Sequence, residues 1–458
     1  MVTLWTSADI ADAVGGTASA DFTVSGVAFD SREVGPGDLF IALTGEVTDG
    51  HRFTEGAFAQ GAAGAIVSHP TPHPHILVTD TTAALNALGR ASRKRSHART
   101  AGVTGSVGKT GVKEALAAAL ARANRGAVHR SVKSYNNHTG VPLSLARMPA
   151  DSVFAVLEMG MNHSGEIADH TAMVRPHVAV ITAIAPAHIE NLGSIEAIAD
   201  AKAEIFGGLE PDGTAVIPFD SPQFSRLESA AKAVGARIVT FGRSDGADVY
   251  PLDVVETATG TLIMARLPSA ELSFTLAYPG DHWVSNAMAI LAAVQAMGGD
   301  LAAAGLALGE MEGLAGRGAR HSVATPDGGT ALIIDESYNA NSASMAATLA
   351  VLGATPATRR IAVLGEMREL GAQSEVLHGG LADPVRQAGV DYALLVGADM
   401  APLAKALEGS CETRHVADAA AALAILTEML TGGDTILIKG SNAVGLSQIV
   451  SALTSGPD

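Results

Sequence analysis

Residues 101–111 read AGVTGSVGKTG, and this stretch decides the fold of the chain around it. A short apolar run leads into a glycine-rich turn, and helical text, VKEALAAALARA, follows at 112–123. The order of strand, glycine loop and helix is that of a phosphate-binding loop, where backbone amides and a helix N-terminus face an anion. Lys109 supplies a point positive charge to such a loop, and Thr110 offers a hydroxyl to Mg²⁺. The loop residues predicted to bind a nucleotide are Gly105, Ser106, Gly108, Lys109 and Thr110.

This loop departs from the strict GxxxxGK[ST] pattern of phosphate-binding loops. Val103 stands where that pattern has glycine, and Gly102 and Gly105 flank the position instead. A glycine-rich turn that merely contains a lysine is the alternative interpretation. The place of GKT between a strand and a helix favours nucleotide binding.

The text after the loop predicts a mostly parallel sheet. Apolar runs FAVLEMG, VAVITAI, TAVIPF and IVTF recur with helical text between several of them, which is typical of a doubly wound α/β domain. Residues 248–278 alternate without helix signals and indicate a β-meander. A helix is predicted from about 284 to 297, and a glycine-rich hinge, GLAGRGAR, follows at 313–320. The central domain is therefore predicted to span 82–313.

Two further α/β units are predicted on either side of this domain. The first, 1–81, has two β-like runs around a turn, a helical stretch at 57–64, and the strands AIVS and HILV. The other, 314–458, has the strands ALIIDES, IAVLGEM, YALLVG and TILIKGS in a Rossmann-like sheet without a GxGxxG motif. Ligands gather at the carboxyl ends of such strands, so the polar residues there should line a cleft. These residues are Asp335, Glu336, Glu366, Lys439 and Ser441.

Composition excludes several classes of function. The chain of 458 residues carries a formal net charge of −17, so a nucleic acid polymer or an anionic membrane would be repelled by most of its surface. A single cysteine, Cys411, leaves no material for a disulfide framework or a zinc–thiolate cluster. No apolar run has the length of a membrane span, and the N-terminal text lacks the features of a signal peptide. A cytoplasmic protein without membrane insertion is expected.

The variant spacing TGSVGKT resembles the TGxxGKT loop of the Mur ligases and their folylpolyglutamate synthase relatives. Five further stretches carry the resemblance: DSREVGPGDLFIAL, SYNNHTGVPLSL, EMGMNHSGEI, AHIENLGSIEAIADAKAEI, and DESYNANSASM followed by LGEMRELG. Within the family, the text is most similar to members that add D-alanyl-D-alanine to UDP-N-acetylmuramoyl-tripeptide. The resemblance implies an ADP-forming ligase of peptidoglycan synthesis that works through an acyl phosphate, uses ATP and two Mg²⁺ ions, and binds the UDP precursor in its first domain.

A metal site is predicted beside the phosphate loop. Glu158 ends the strand LEMG and so reaches the same sheet edge as Thr110, where a hard cation would prefer its oxygens. His188 follows VAVITAI in the same way, and the resemblance implies that it and Glu158 hold a second Mg²⁺. A structural histidine is the alternative. Lys202 matches the family position where lysine is carbamylated and could then support a metal, a change that needs a depressed pKa. A solvated helix lysine is the alternative there.

The resemblance also implies nucleotide contacts outside the loop. Asn286, in PGDHWVSNAMAI, matches a family asparagine that contacts the nucleotide, whereas Trp283 replaces another. Arg317, in the hinge, resembles the arginine that reaches the ATP phosphates when domains close, and Asp335 the acid that contacts the ribose. The residues expected to act in catalysis are Lys109, His188, Lys202 and Arg317.

Substrate contacts are expected in three places. Ser31 and Arg32 resemble the family's contact with the uridine diphosphate. The sugar-peptide is expected to be held by Asn136, Asn137 and Thr139, for which ordinary loop capping is the alternative. The cleft for dipeptide and nucleotide is expected to be shaped by Tyr338, Asn339 and Asn341.

Two departures from the family text concern a charge and a hydroxyl group. Asn442, in KGSNAV, stands where many members have the arginine of KGSR, and it cannot replace a bidentate charge. Lys439 or another basic residue is expected to compensate. Gly111 and Val112 stand where threonines are common, which removes a hydroxyl without changing Lys109 or Thr110.

Two alternative functions are compatible with parts of the sequence. Another Mur ligase, adding a single amino acid, is less favoured because the Asp-Asn-Pro-Arg motif of the diaminopimelate-adding enzyme is absent, while YNANSASM and LGEMRELG favour the dipeptide adder. A P-loop ATPase switch, or a precursor-binding protein without ligase activity, is the other alternative. Against a catalytically silent protein stands the retention together of Lys109, Thr110, Glu158, His188 and Lys202. A monomer is expected, and the third residue of the peptide, diaminopimelate or lysine, is left open.

Overall fold

A computed structural model of the chain describes residues 2–45, 48–124, 126–187, 189–257 and 260–455. Within these residues the fold is α/β, built on successive sheets in the order of the chain. No helix of the described part is both long enough and apolar enough to cross a membrane.

The first unit contains a five-stranded sheet and a short two-stranded ladder. The sheet has the order β2-β7-β6-β5-β4, and β1 pairs with β3. The strands are β1 (Trp5–Thr6), β2 (Thr17–Ala18), β3 (Thr23–Val24), β4 (Gly26–Ala28), β5 (Asp38–Ile41), β6 (Gly64–Val67) and β7 (His75–Leu77). The helices are α1 (Ser7–Val14), α2 (Thr54–Ala59) and α3 (Thr81–Arg95).

The helix predicted at 57–64 is misplaced. The observed helix α2 ends at Ala59, and Gly61 then adopts φ 104, a conformation that L side chains rarely adopt. The chain turns there and enters β6 at Gly64. The apolar residues of the second half of the prediction therefore belong to a turn and a strand.

The central unit is a six-stranded parallel sheet with the order β13-β12-β11-β8-β10-β9. Its strands are β8 (Arg99–Thr104), β9 (Val128–Arg130), β10 (Phe154–Glu158), β11 (Val178–Ile181), β12 (Thr214–Pro218) and β13 (Arg237–Phe241). Its helices are α4 (Lys109–Ala123), α5 (Gly140–Ala146), α6 (Glu166–Val174), α7 (Ile189–Leu192), α8 (Ile195–Ala203), α9 (Phe224–Ala233), α10 (Asp281–Ala296) and α11 (Leu301–Gly309).

Successive side chains of these strands point to opposite faces of the sheet and fill two separate hydrophobic cores. Val156 faces the core that contains α4 and α10, whereas its neighbours Ala155 and Leu157 face the opposite core with α8. Because β8 lies between β10 and β11, the ends of these three strands meet at one edge. This edge positions the candidate site.

The predicted β-meander is confirmed. Three antiparallel strands form it, β14 (Tyr250–Thr257), β15 (Gly260–Arg266) and β16 (Glu271–Leu276). The helix predicted from about 284 begins earlier, at Asp281, directly after Gly280 with φ 101. This earlier start places both Trp283 and Asn286 on the first turns of α10.

The last unit is a second six-stranded sheet, with the order β17-β18-β22-β19-β20-β21. Its strands are β17 (Ala319–Ala324), β18 (Thr330–Glu336), β19 (Arg359–Gly365), β20 (Tyr392–Val396), β21 (Glu412–Val416) and β22 (Asp434–Lys439). Its helices are α12 (Ser342–Ala354), α13 (Ser374–Gly379), α14 (Ala382–Gln387), α15 (Ala401–Ala406), α16 (Ala419–Met429) and α17 (Ser447–Thr454).

Four of these strands were predicted, and two were not. Strand β17 is antiparallel to β18 and takes up the last residues of the predicted hinge, so the hinge ends before Ala319. Strand β21 is a polar, largely exposed edge strand. Both strands lack the apolar run on which the prediction relied.

Candidate active site

The glycine-rich loop takes backbone conformations that require glycine. Gly105 has φ 150, and a Cβ on it would stand 2.0 Å from Thr182 Oγ1; Gly108, with φ 84, precedes the first residue of α4. Ser106 Oγ donates a hydrogen bond of 2.9 Å to the carbonyl of Ala185. The loop is thereby fixed to the segment that follows β11.

Lys109 folds back across this loop. Its Nζ donates a 2.7 Å hydrogen bond to the carbonyl of Gly105. The surrounding protein lowers the pKa of Lys109, and the charge of Arg317 acts in the same direction while Glu158 opposes it. Because of its hydrogen bond to Gly105, the Lys109 side chain lies over the loop, where an incoming phosphate would contact it.

Thr110 and Glu158 are in direct contact at the sheet edge. Thr110 Oγ1 donates to Glu158 Oε2 at 2.9 Å, and Asn136 Nδ2 donates to the other carboxylate oxygen at 2.7 Å. Glu158 is only 1% exposed. A hydroxyl and a buried carboxylate are the hard oxygen donors that Mg²⁺ prefers, so these residues fit a magnesium site.

Ser134, which was not among the predicted site residues, joins this site to the third unit. Its Oγ accepts a 3.0 Å hydrogen bond from Arg317 Nη2 and lies 3.2 Å from Thr110 Oγ1. Because the Thr110 proton goes to Glu158, the Ser134 proton goes to Thr110. The result is a directed chain from Arg317 through Ser134 and Thr110 to Glu158. Its only signal in the sequence is its place within SYNNHTG.

Lys113, on α4, holds the segment that carries Ser134, residues 131–137. The Lys113 ammonium is buried and donates to the carbonyls of Ser131 and Lys133, each at 2.8 Å, and to Glu114 Oε1 at 2.6 Å. All of its donors are therefore used inside the protein. Sequence reasoning missed it because a lysine in helical text ordinarily indicates a solvated face.

Lys202 is a buried residue of α8 rather than a solvated lysine. It is 1% exposed, and burial holds its pKa well below the ordinary value, with the charge of Lys109 adding to the effect. The neutral amine that carbamylation requires is therefore favoured. His188, predicted as a metal ligand and catalytic residue, lies outside the described residues.

Arg317 and Asp335 belong to one tightly bonded turn. Asp335 Oδ2 accepts a 2.7 Å hydrogen bond from Gly316 N, and its other oxygen accepts from the amide and hydroxyl of Ser337. The guanidinium of Arg317 lies 4.2 Å from the ring centre of Tyr338. Asp335 thus fixes the turn that points Arg317 at Ser134, and Tyr338 supports the guanidinium from one side.

The residues predicted to contact the uridine diphosphate lie on the first unit. Ser31 and Arg32 form a single 3-10 turn with Glu33, and the Arg32 side chain is 86% exposed beside Asp30. Glu33 pairs with Lys133 and accepts a 2.7 Å hydrogen bond from the hydroxyl of Tyr135. The segment 131–137 therefore contacts the first unit as well as the phosphate loop and Arg317.

Three residues predicted to bind substrate make local hydrogen bonds just before or at the start of a helix. Asn137 Oδ1 accepts from Gly140 N at 2.9 Å and from Thr139 Oγ1 at 3.1 Å, ahead of α5. Asn341 Oδ1 accepts from Ser344 N at 2.9 Å and begins α12. Loop capping, the alternative raised for Asn137 and Thr139, is present here.

Comparisons with known proteins agree with this geometry. Residues 23–106 match the catalytic domain of the Mur ligase family, 103–294 its middle domain, and 320–442 its glutamate ligase domain. The chain belongs to the Mur ligase family.

This Mur ligase is similar over nearly its whole length to named proteins and to solved structures. It is 35% identical over 440 residues to the UDP-N-acetylmuramoyl-tripeptide–D-alanyl-D-alanine ligase of Escherichia coli K12, which covers 95% of this chain and 94% of the relative. It is similar to the crystal structure of MurF from Acinetobacter baumannii with a TM-score of 0.84 and 30% identity, over 98% and 99% of the two chains. It is also similar to MurF from Thermotoga maritima in complex with ADP, with a TM-score of 0.76 and 25% identity, over 94% and 97%. The predicted family and α/β fold class are confirmed.

Asn286 of this Mur ligase lies over the phosphate loop. Its Oδ1 is 3.1 Å from the point where a Cβ on Gly108 would stand. Trp283, three residues earlier on α10, stacks on Tyr278 with ring centres 4.1 Å apart. Trp283, which departs from the family text, therefore packs in an aromatic pair with Tyr278. Asn286, on the next turn of the same helix, still lies at the phosphate loop.

Lys439 does not offer this Mur ligase a free cation in place of the arginine missing at Asn442. Its buried Nζ donates to the carbonyl of Asn339 at 2.8 Å and lies 3.6 Å from Glu336 Oε2. Burial lowers the pKa of Lys439 and raises that of Glu336, and burial near Lys439 lowers the pKa of His282 to about 4. The Lys439 side chain is therefore bonded to the loop at Asn339 and is not free to bind a ligand.

Proposed function

We propose that this Mur ligase adds D-alanyl-D-alanine to UDP-N-acetylmuramoyl-tripeptide in the cytoplasmic part of peptidoglycan synthesis, converting ATP to ADP and phosphate. The observation that carries the proposal is the contact between Thr110 and Glu158 beside Lys109 at the edge of the central sheet. Relatives of nearly the same length bear the name of this dipeptide ligase.

The reaction needs no covalent enzyme nucleophile. The terminal carboxylate of the tripeptide attacks the γ-phosphorus of ATP, which forms an acyl phosphate and releases ADP. The amine of D-alanyl-D-alanine then attacks the acyl carbon, loses a proton, and expels inorganic phosphate as the amide bond forms. Lys109 reduces the repulsion between the carboxylate and the triphosphate in an otherwise acidic protein.

Two Mg²⁺ ions fit the chemistry of the site and would neutralise the developing phosphate charge. The residues that would hold them are Thr110, Glu158, His188 and Lys202, the last if carbamylated. The depressed pKa of Lys202 supports its carbamylation, because only the neutral amine combines with CO₂.

We assign three domains to the reaction, 1–81 for the UDP precursor, 82–313 for ATP, and 314–458 for the acceptor. With the last domain closed, Arg317, held at Ser134, would face the phosphates, and the water that hydrolyses acyl phosphates would be excluded. Asp335 holds the turn of Arg317 and is assigned to the ribose, and Asn286 to the nucleotide above the loop.

The remaining contacts are assigned to the two other substrates. Ser31 and Arg32 face the uridine diphosphate, and the sugar-peptide lies along Asn136, Asn137 and Thr139. The dipeptide cleft is lined by Tyr338, Asn339 and Asn341.

The direct test is phosphate release from ATP with purified UDP-N-acetylmuramoyl-tripeptide and single candidate amines. Release is expected only when both the tripeptide and D-alanyl-D-alanine are present, with the pentapeptide product detected by mass. Two parallel reactions, with diaminopimelate or lysine as the third residue, identify the natural peptide. Phosphate release that depends on neither the tripeptide nor the dipeptide would contradict the proposal. A preference for a single amino acid as the acceptor would contradict it as well.

A further inference from the structure

The glycine-rich segment 313–320 is a folded turn that belongs to the third unit. The carbonyl of Leu314 accepts a 2.8 Å hydrogen bond from Arg317 N. Gly318 N donates to the carbonyl of Asp335 at 2.8 Å, and Asp335 lies in strand β18. From Leu314 onward, the chain is therefore bonded to the third unit and would move with it.

The residues just before this turn are held by the central unit instead. Glu310 pairs with Arg122 on α4, and the carbonyl of Glu312 accepts a hydrogen bond from the Tyr278 hydroxyl. Tyr278 is 4% exposed, and burial raises its pKa to about 12, so the hydroxyl keeps its proton and donates it. The chain is therefore fixed to the central unit as far as Glu312.

Gly313 lies between these two fixed segments. A Cβ on it would stand 2.5 Å from Ala319 Cα and 2.5 Å from Gly318 O, so no side chain fits unless the turn shifts. Glycine also has the backbone freedom that a pivot needs. A rotation of the third unit relative to the central one would therefore be concentrated at Gly313.

Tyr278 is itself tied to the helix that follows the phosphate loop. Its ring stacks on Trp283 with an angle of 13° between the planes. The Trp283 indole in turn lies against Gly111, the third residue of α4 and two residues after Lys109. One row of contacts thus runs from the start of α4, through the aromatic pair, to the carbonyl of Glu312.

The place of this pivot matters because the turn beyond it carries Arg317. The guanidinium of Arg317 donates to Ser134 Oγ at 3.0 Å. Arg317 is four residues from Gly313, so a change in the backbone angles at Gly313 displaces the guanidinium from Ser134. An anchor on Glu312 removes freedom from the chain on the near side of the pivot and so narrows the positions that Arg317 can take.

We propose that Tyr278 is a positioning residue for the ligase reaction: its hydroxyl holds the chain at Glu312, so that the third unit pivots at Gly313 and returns Arg317 to the same place. The role in the reaction rests on the proposed function, whereas the anchor itself does not. Trp283 supports the Tyr278 ring, which gives a task to a residue that departs from the family text.

A glutamate-specific protease tests the anchor without any ligand. It cleaves after Glu312, and the carbonyl of that peptide bond is the one bonded to Tyr278. Tyr278→Phe removes the hydroxyl and keeps the ring. Release of the fragments 1–312 and 313–458, identified by mass, is expected to be about 10-fold faster than in the native protein, as for the loss of one hydrogen bond. Tyr250→Phe, at the start of β14, is the matched control and should be cleaved at the native rate.

The same variants test the role in the reaction. Phosphate release is measured with the UDP-N-acetylmuramoyl-tripeptide and D-alanyl-D-alanine, and the affinity for ADP by calorimetry. In Tyr278→Phe, kcat is expected to fall by about 10-fold because Arg317 is placed less precisely. The affinity for ADP should be unchanged, since the phosphate loop is intact. Tyr250→Phe should keep both values.

The two measurements separate the possible failures. Cleavage of Tyr278→Phe at the native rate would overturn the anchor, and faster cleavage with a native kcat would overturn the positioning role. Equal losses of kcat and of ADP affinity would also overturn that role, because they indicate damage to the central unit. A native enzyme that releases no phosphate with both substrates would overturn the proposed function, while the cleavage rates would still decide the anchor.

Discussion

The indole of Trp283 occupies the space that a side chain at Gly111 would need: a Cβ on Gly111 would stand 2.9 Å from Trp283 Cη2. Each residue departs from the family text, one on the first turn of α10 and the other on the first turn of α4. The structure shows that the two departures are in contact. They are therefore one change in packing rather than two independent losses of polar groups.

Gly111→Thr, which restores the common family residue, is expected to destabilise the protein by about 1–3 kcal/mol because it overpacks the helix contact. The same substitution in a Trp283→Asn background should cost much less, since the indole is gone. Urea unfolding of the native protein, both single variants and the double variant gives the coupling. If the changes in unfolding free energy of the two single variants simply add in the double variant, Gly111 and Trp283 are not coupled through packing.

Lys109→Met should lower tripeptide- and dipeptide-dependent phosphate release by at least about 100-fold, because it removes the positive charge over the loop. Lys232→Met, on the exposed face of α9, is the matched control and should keep full activity. Circular dichroism checks that both variants are folded. Near-native turnover of Lys109→Met would rule out its role at the phosphate.

Ser134→Ala interrupts the hydrogen-bond chain from Arg317 to Glu158. We expect kcat/KM for ATP to fall by about 10-fold, the size of one hydrogen bond to a charged group, while Ser134→Thr keeps the hydroxyl and most of the activity. Because Ser134 acts with Arg317, the double variant Ser134→Ala/Arg317→Ala should be little worse than Arg317→Ala. Independent, multiplying losses would show that the two residues are not coupled.

Lys202→Met should stabilise the ligand-free protein, and the gain should depend on pH. The folded-state pKa of Lys202 lies well below the ordinary value, so the unfolded chain binds more protons between the two values and stability rises with pH across that window. The penalty of burying the charge is therefore largest below the folded-state pKa and disappears above the ordinary lysine pKa. Denaturant unfolding at several pH values should show the advantage of Lys202→Met shrinking as the pH rises. A constant difference would contradict a depressed pKa at this residue.

The sequence predicted the parts of the fold that local patterns determine. The phosphate loop is local, because its glycines, Lys109 and the start of α4 are consecutive, and the apolar strands of both large sheets are recognisable from their runs. Strands β9, β17 and β21 were not predicted, since they are short or polar and are strands only because a neighbour pairs with them. Element order was therefore more predictable than sheet edges.

The site was predictable where residues follow strands and unpredictable where they meet across the fold. Glu158 was placed beside Thr110 from its position at a strand end, and the two are in contact. Lys113 and Ser134 were missed because their partners lie elsewhere in the chain. The burial that depresses the pKa of Lys202 is likewise a product of packing, to which the letters ADAKAEI give no clue.

The segment 131–137 bonds at once to Glu33 of the first unit, to Lys113 below the phosphate loop, and to Arg317 of the third unit. Fixing such a segment in one conformation costs conformational entropy only once. The protein meets this cost in its own fold, so a substrate that binds along the segment does not have to order it. Loosening any one of the three contacts would return that cost to binding, so a change at Glu33 of the first unit would lower the affinity for ATP without touching the nucleotide.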